Sequence, residues 1–229
     1  MTAAVIGVEQ YFVPLYLIVT GTGIISAAIM CRIWPLGTSF ANEYYEPAGK
    51  QVNEIVPEGV KKREWAFKLA VTKAQSGPNV QTLLRKGVDM FSDIVISLLP
   101  ASMCIGTLSL ALATYTPFFD WISMPFGYFL DFLGVEDAFA AAPGTLVGFA
   151  DQFIPAIICS GLESVETRFI ICALCLVQII YISGPGIQII TSKIPVNFKD
   201  LVIIFLEKTI ISIPIIVGLT KIAGLIFGF

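Results

Sequence analysis

The chain has 229 residues, of which 56 % are hydrophobic, 14 % charged and none histidine, with a net charge of −3 and a mean hydropathy of +0.83. A soluble domain is roughly one-quarter charged, so this composition describes a polytopic α-helical membrane protein, each of whose spans needs about 20 apolar residues. Without histidine there is no Ser-His-Asp or Cys-His catalysis, no imidazole metal ligand and no imidazole proton relay, and no P-loop or G-x-G-x-x-G motif suggests nucleotide chemistry.

Residues 1–36 form the first segment. Residues 1–10 carry Glu9 and no basic cluster, and no small-residue cleavage site follows the first apolar run, so a cleaved signal peptide is not expected. Tyr11 to Trp34 reads as the first membrane helix, with Tyr11, Tyr16 and Trp34 near its ends, where amphipathic rings prefer the interface. Its Thr20-Gly21-Thr22-Gly23 and Ser26-Ala27-Ala28 face is small enough to pack closely on another helix.

Residues 37–90 hold eight of the 14 Lys and Arg residues, from Lys50 to Lys86. The positive-inside rule makes this loop cytoplasmic and the N-terminus external. Lys61 to Gln75 reads as a helix, broken at Ser76-Gly77-Pro78-Asn79. A second helix follows, with Val80, Leu83, Leu84, Gly87, Val88 and Phe91 in one stripe, placed along the inner membrane surface or against the bundle. Seven acids between Glu43 and Asp93 are interleaved with the bases, so nucleic acid is not an expected partner.

Residues 91–195 form the membrane core. Ile94 to Tyr115 is expected to span, with a kink at Pro100. Thr116 to Gly134 is aromatic, carries Asp120 and Asp131, and is interrupted by Pro117 and Pro125; it suits a helix in the outer interface or a re-entrant segment. From Ala138 to Ser192 the chain is apolar yet repeatedly broken: Asp151, Gln152 and Pro155, then Glu163 and Glu166, then Gln178, Gly184-Pro185-Gly186, Gln188 and Ser192. Broken helices with acids and amides near the midplane are the pattern of a solute or ion site. Pro155 withholds the N–H that would bond the Asp151 carbonyl, which leaves that carbonyl and the carboxylate for a cation; the alternative is that Asp151 only caps the next helix. Pro143 to Gly161 either crosses or turns back. Turning back places Lys193 and Lys199 inside, as the positive-inside rule prefers. Cys172 and Cys175 form a C-x-x-C without a second pair, so the five cysteines read as small apolar residues.

Residues 196–229 carry the last membrane helix. Asp200, Glu207, Pro214 and Lys221 recur every seven residues and share about one face, which should point into the bundle; Glu207 suits a site or an interhelix salt bridge equally. The fold is thus an all-α polytopic transmembrane bundle with about five spanning helices, broken or re-entrant helices, and cytoplasmic amphipathic helices.

Four stretches carry a family resemblance: T-P-F-F-D-W at Thr116–Trp121, G-V-E-D-A at Gly134–Ala138, G-F-A-D-Q-F-I-P-A at Gly148–Ala156, and S-K-I-P-V-N-F-K-D-L at Ser192–Leu201. With these the chain resembles the YjiH-like membrane proteins with a nucleoside-recognition, or Gate, domain. The resemblance implies a multi-pass protein of the bacterial inner membrane and a second Gate-type subunit or homo-oligomer. Asp151, Gln152 and Pro155 match the Gate core.

The expected function is half of a secondary transporter for a small polar solute, nucleoside-, amino-acid- or peptide-like, coupled to Na⁺ or H⁺. Asp151, Gln152, Pro155, Gln178, Gln188 and Ser192 would line the site, with Glu163, Glu166 and Glu207 as further ionisable candidates. Besides a possible Na⁺, no cofactor or metal is expected. An assembly or regulatory protein, like the spore-maturation members of the Gate group, is the alternative; no nucleophile–base pair supports an enzyme.

Overall fold

The computed structural model describes residues 1–40, 56, 60–75, 77–191 and 196–227. All regular structure among them is helical. Among the described residues, four helical segments are long and apolar enough to cross a membrane: Glu9–Met30, Val80–Tyr115, Val165–Ile190 and Phe198–Ile226. The chain is a membrane protein. The fifth passage expected from the sequence is divided into two short helices. The chain forms two compact units, Met1–Glu43 with Ala101–Phe229, and Tyr44–Pro100.

In the first unit, a short α1 (Thr2–Val5) precedes α2 (Phe12–Met30). Leu15, Ile18, Thr22, Ser26 and Met30 form one buried stripe of α2, the spacing of a helix that buries one face. The hydroxyls rather than the glycines are covered: a Cβ at Gly21 or Gly23 would meet nothing within 4 Å.

The second unit contains α3 (Lys62–Gln75) and α4 (Val80–Asp93), close to the helices expected there. The α4 stripe is uncovered: Val80, Leu83, Leu84, Val88 and Phe91 are 60–71 % exposed. A widened π-type turn at Ile94–Leu98 leads to α5 (Leu99–Tyr115). Pro100 stands at the second residue of α5, where the missing N–H falls beside that widened turn, a usual way for a helix to accommodate a proline.

The membrane unit continues from Ala101 along α5 into α6 (Phe118–Phe132), α7 (Ala138–Val147), α8 (Ile154–Cys159), α9 (Val165–Val177), α10 (Ile187–Thr191) and α11 (Phe198–Phe227). Helices α6 and α7 pack as an antiparallel pair. Gly127 makes the close approach possible, because a Cβ there would stand 2.8 Å from the Phe139 ring, and Tyr128 meets Phe139 edge to face at 5.1 Å. Gly134 (φ 71°) and Asp137 (φ 51°) turn the chain between them.

Helix α9 is the centre. Residues Phe169 to Cys175 are 0–1 % exposed, walled by α2, α7, α8 and α11. A helix apolar on all sides lies in a protein core or in a membrane, and here protein encloses it. Cys159, Cys172 and Cys175 are buried free thiols within this core, as small apolar residues would be.

The stretch from Pro143 to Gly161 turns back. Its flanks meet at one end of the unit, where the Ser164 N–H donates to Asp137 Oδ2 at 3.3 Å. That end is knit together further. Thr167 Oγ1 donates to the Glu136 carbonyl (2.7 Å), Arg168 Nη1 to the Ile6 carbonyl (3.3 Å) and Lys221 Nζ to the Leu133 carbonyl (2.7 Å). The N-terminus, the α6–α7 turn, the start of α9 and the end of α11 therefore lie together, and α7 and α8 form a helical hairpin that dips inward from there.

Candidate functional site

The tip of that hairpin meets the break that ends α9. Two broken segments inside an apolar bundle must satisfy their backbone groups with each other or with side chains, and the accounting here is close. At the end of α7, the Leu146 carbonyl accepts from the Phe149 N–H, and the Val147 carbonyl from those of Ala150 and Asp151. Beyond it, the Phe149 carbonyl accepts from Ile182 N–H (2.7 Å) and the Ala150 carbonyl from Ser183 N–H (3.2 Å). The Thr145 carbonyl, orphaned by the end of α7, accepts from Gln178 Nε2 at 3.0 Å.

Gln178 is the joint between three helices. Its φ of −74° and ψ of 68°, with Ile179 N–H bonded to the Val177 carbonyl at 2.9 Å, form an inverse γ-turn that stops α9. Its Nε2 also donates to Thr209 Oγ1 on α11 (2.6 Å), and that hydroxyl donates to the Phe205 carbonyl (2.8 Å). The side chain is 1 % exposed, and its Oε1 has no hydrogen-bond partner among the described residues. Oε1 rests on Gly148, where a Cβ would stand at 2.7 Å, so any larger residue would have to displace the amide.

After the γ-turn, Tyr181 is extended (φ −127°, ψ 147°) and Ile182–Gly186 make a wide turn into α10. Gly186 is required there, since a Cβ would lie 2.8 Å from the Tyr181 carbonyl. This turn presents Ser183, whose Oγ donates to Asp151 Oδ2 at 2.6 Å, while Asp151 Oδ1 accepts from Phe153 N–H at 2.8 Å. Asp151 is half-buried. It borders an open groove of about 310 Å³ lined by Ser102, Met103, Gly106, Thr107 and Leu110 of α5 and by Phe153, Ile154 and Ile157.

The structure sorts the candidates. It brings Asp151 and Gln178 to the same pair of breaks, with half-buried Gln152 beside Asp151 at the tip. Pro155 is buried at the second position of α8, where a helix needs no N–H. It starts a helix instead of interrupting one, so the availability of the Asp151 carbonyl does not follow from it. The carboxylate closes an Asx-type turn through Phe153, just before α8 begins at Ile154. Gln188 lies exposed on α10, and Ser192 lies outside the described residues.

Three acids do not join this site. Glu163 is exposed in the connection before α9, and Glu166 is in its first turn; the 13 residues of α9 carry them about 18 Å from Gln178. The reason is local: acids favour the positive end of a helix. Glu207 is at the depth of Thr209, but two residues away on a helix is nearly the opposite side. The face with Asp200, Glu207, Pro214 and Lys221 does not point into the bundle of this chain. Asp200 and Glu207 are half-buried and Pro214 and Lys221 exposed, while the buried face carries Thr209, Ser212 and Thr220. A hydroxyl can bond its own helix, as Thr209 does; a carboxylate cannot, and is expelled.

Sequence reasoning missed Thr145, Ser183 and Thr209. Ser183 precedes Gly184-Pro185-Gly186, so the break itself marked it; Thr209 was hidden beside the charges of Glu207 and Lys208.

No family model and no solved structure matches the chain. It is 47 % identical over 212 residues, 93 % of its own length, to a protein of Alkalihalophilus pseudofirmus described as uncharacterized. Those residues make up 46 % of that protein, so the chain spans about half the length of the curated relative it matches.

Proposed function

We propose that this chain is one half of a membrane transporter for a small polar solute, with Asp151 as its cation-responsive centre. The observation that carries the reading is the meeting of two helix breaks, 148–153 and 178–186, at a carboxylate held by Ser183 Oγ and the Phe153 N–H. Transporter sites are built where discontinuous helices meet inside the membrane, and their loosened backbone and side chains serve ion and solute. The two hydrogen bonds fix the carboxylate, and it borders a groove large enough for a small solute. A Na⁺ ion or a proton would bind at that carboxylate. Ser183 would position the carboxylate, and the Gln178 amide would hold the two breaks together. The groove favours transport over a purely assembling role, which would need only a closed, dry bundle.

The resemblance to the Gate group supports this reading and a bacterial inner-membrane location, and the relative of twice the length is in keeping with a second half. The test is thermal stabilisation of the purified chain by a panel of polar metabolites, with and without Na⁺, because a ligand bound to the folded state raises the unfolding midpoint. Asp151→Asn keeps the turn-forming acceptor and removes the charge. The expected outcome is a folded protein that has lost Na⁺- or pH-dependent stabilisation. Unchanged ion dependence in that variant would remove Asp151 from the site.

A further inference from the structure

We propose that the solute of the Asp151 groove is an organic ammonium ion, its charged head on the carboxylate and an apolar body of a few carbons against the walls of α5 and α8. The inference rests on the transporter reading above and deepens it by naming the solute class.

The groove combines an apolar body with one polar end. Met103 and Leu110 of α5, with Phe153, Ile154 and Ile157, supply apolar walls, and Asp151 is the one residue of the lining that can carry a charge. Its volume of about 310 Å³ is at the small end of ligand pockets. Gly106 leaves the carboxyl open to the groove. A Cβ on Gly106 would stand 3.6 Å from Asp151 Oδ2 and meet no other described atom within 4 Å. A ligand can therefore reach that oxygen over the glycine, and a larger side chain there would occupy the approach.

The polar groups of the groove offer lone pairs. Asp151 already accepts from Phe153 N–H at Oδ1 and from Ser183 Oγ at Oδ2. A carboxylate has about four acceptor positions, so further donors can be taken. Thr107 Oγ1 points its only proton back at the carbonyls of Met103 (2.8 Å) and Cys104 (3.0 Å), so it too meets a ligand as an acceptor. Ser102 can serve either way. The lining holds no lysine, arginine or side-chain amide.

The complement of this surface is a ligand with donors and positive charge at one end and carbon elsewhere. A primary ammonium has N–H donors and no acceptor, and its bonds to a carboxylate are charge-assisted. A carboxylate or phosphate group would meet Asp151 and find no cationic side chain in the groove. A sugar would leave hydroxyls unpaired against Leu110, Ile154 and Ile157, at a cost for each. An intramembrane acid pairs with an opposite charge or faces water, and here the solute itself brings that charge. Na⁺ would occupy the same oxygens, so the two cations should compete.

The test uses the full chain in mild detergent, with 2-phenylethylammonium as the probe and 2-phenylethanol and phenylacetate as controls of nearly the same shape. Thermal unfolding is followed against the concentration of each. The ammonium is expected to raise the midpoint at a concentration at least about tenfold lower than the alcohol does, the scale of one hydrogen bond to a charged group. Phenylacetate is expected to have no effect, and Na⁺ to move the ammonium curve to higher concentration. Gly106→Leu should fold and lose at least about tenfold of the ammonium response, because its side chain covers Oδ2. Should Gly106→Leu fail to fold, Gly106→Ala, whose Cβ meets Asp151 at an ordinary contact distance, is expected to weaken the response in the same direction. Equal potency of the ammonium and the alcohol, stabilisation by phenylacetate, or an undiminished ammonium response in the folded Gly106 variant or in Asp151→Asn overturns the proposal. If Na⁺ stabilises the wild-type chain and the ammonium does not, the ammonium proposal alone fails. If neither stabilises it, the reading of Asp151 as a cation centre fails with it.

Discussion

The two ends of α9 solve the same problem by different means. Its first end is rich in acids and hydroxyls, and its groups are tied to neighbours: Ser164 Oγ accepts from the Thr167 N–H, Asp137 holds the Ser164 N–H, and Thr167 holds the Glu136 carbonyl. Its last end has no acid of its own. There a single buried amide and a serine from the following turn join two broken strands of backbone, and the one carboxylate comes from another segment. The acid-rich end is a cap. The acid-poor end is the candidate site. In a membrane chain the position of a break is the better guide to a site than the density of charge, because charges at helix ends are stabilised simply by being there.

This contrast is testable by changes at each end. Variants at the break should alter both stability and ligand response, and variants at the cap should alter stability alone. The largest effect is expected from Gln178→Ala. It opens a cavity in the core and strips the Thr145 carbonyl of its donor. Core truncations cost about 2–5 kcal/mol, and an orphaned buried polar group about 1–3 kcal/mol. The unfolding midpoint in detergent should fall sharply, and solute or Na⁺ stabilisation should disappear with it.

Gly148→Ala comes next. The added Cβ would stand 2.7 Å from Gln178 Oε1, and the amide has no slack, since its nitrogen is held by Thr145 and Thr209. Overpacking of this kind costs about 1–3 kcal/mol. A thermal melt that matches wild type would mean that the amide does not hold the two breaks together. At the other end of α9, Ser164→Ala removes the N-cap acceptor. A loss of about 1 kcal/mol is expected, with the response to ligand panel and Na⁺ unchanged.

These expectations also mark what the sequence made legible. The first and last membrane helices were readable because α2 and α11 are long apolar runs bounded by polar or aromatic residues. The breaks were readable as well, since glycine, proline and a solitary acid seldom share an apolar stretch unless the helix is interrupted there. What connects the breaks was not readable. The bonds from Ser183 to Asp151 and from Gln178 to Thr145 and Thr209 span 31 to 33 residues of sequence, and no local pattern encodes which distant carbonyl needs a donor. The seven-residue recurrence of Asp200, Glu207, Pro214 and Lys221 correctly grouped one helix face, but periodicity cannot say which face a neighbour covers. The hydroxyls of α11, unremarkable in sequence, turned out to line the buried side.

The smallest effect is expected from Glu163→Gln, and it is the most discriminating control. Glu163 is exposed in the connection before α9, one residue ahead of the Ser164 cap, so nothing in the core depends on it. Surface substitutions of this type usually stay within about ±0.5 kcal/mol. Removal of its charge should therefore leave the melting profile, the ligand panel and the Na⁺ dependence as they are in the wild-type chain. Glu166→Gln, in the first turn of α9, should lose slightly more, about 0.3–1 kcal/mol, because that carboxylate interacts with the helix dipole; its ligand response should also be unchanged. The pair thus separates a helix-end contribution, read in stability alone, from a site contribution, read in the ligand and ion response. If Glu163→Gln abolished ion-dependent stabilisation while the protein remained as stable as before, the ion would be read at the capped end of α9, and the break around Asp151 would become the structural end of the helix.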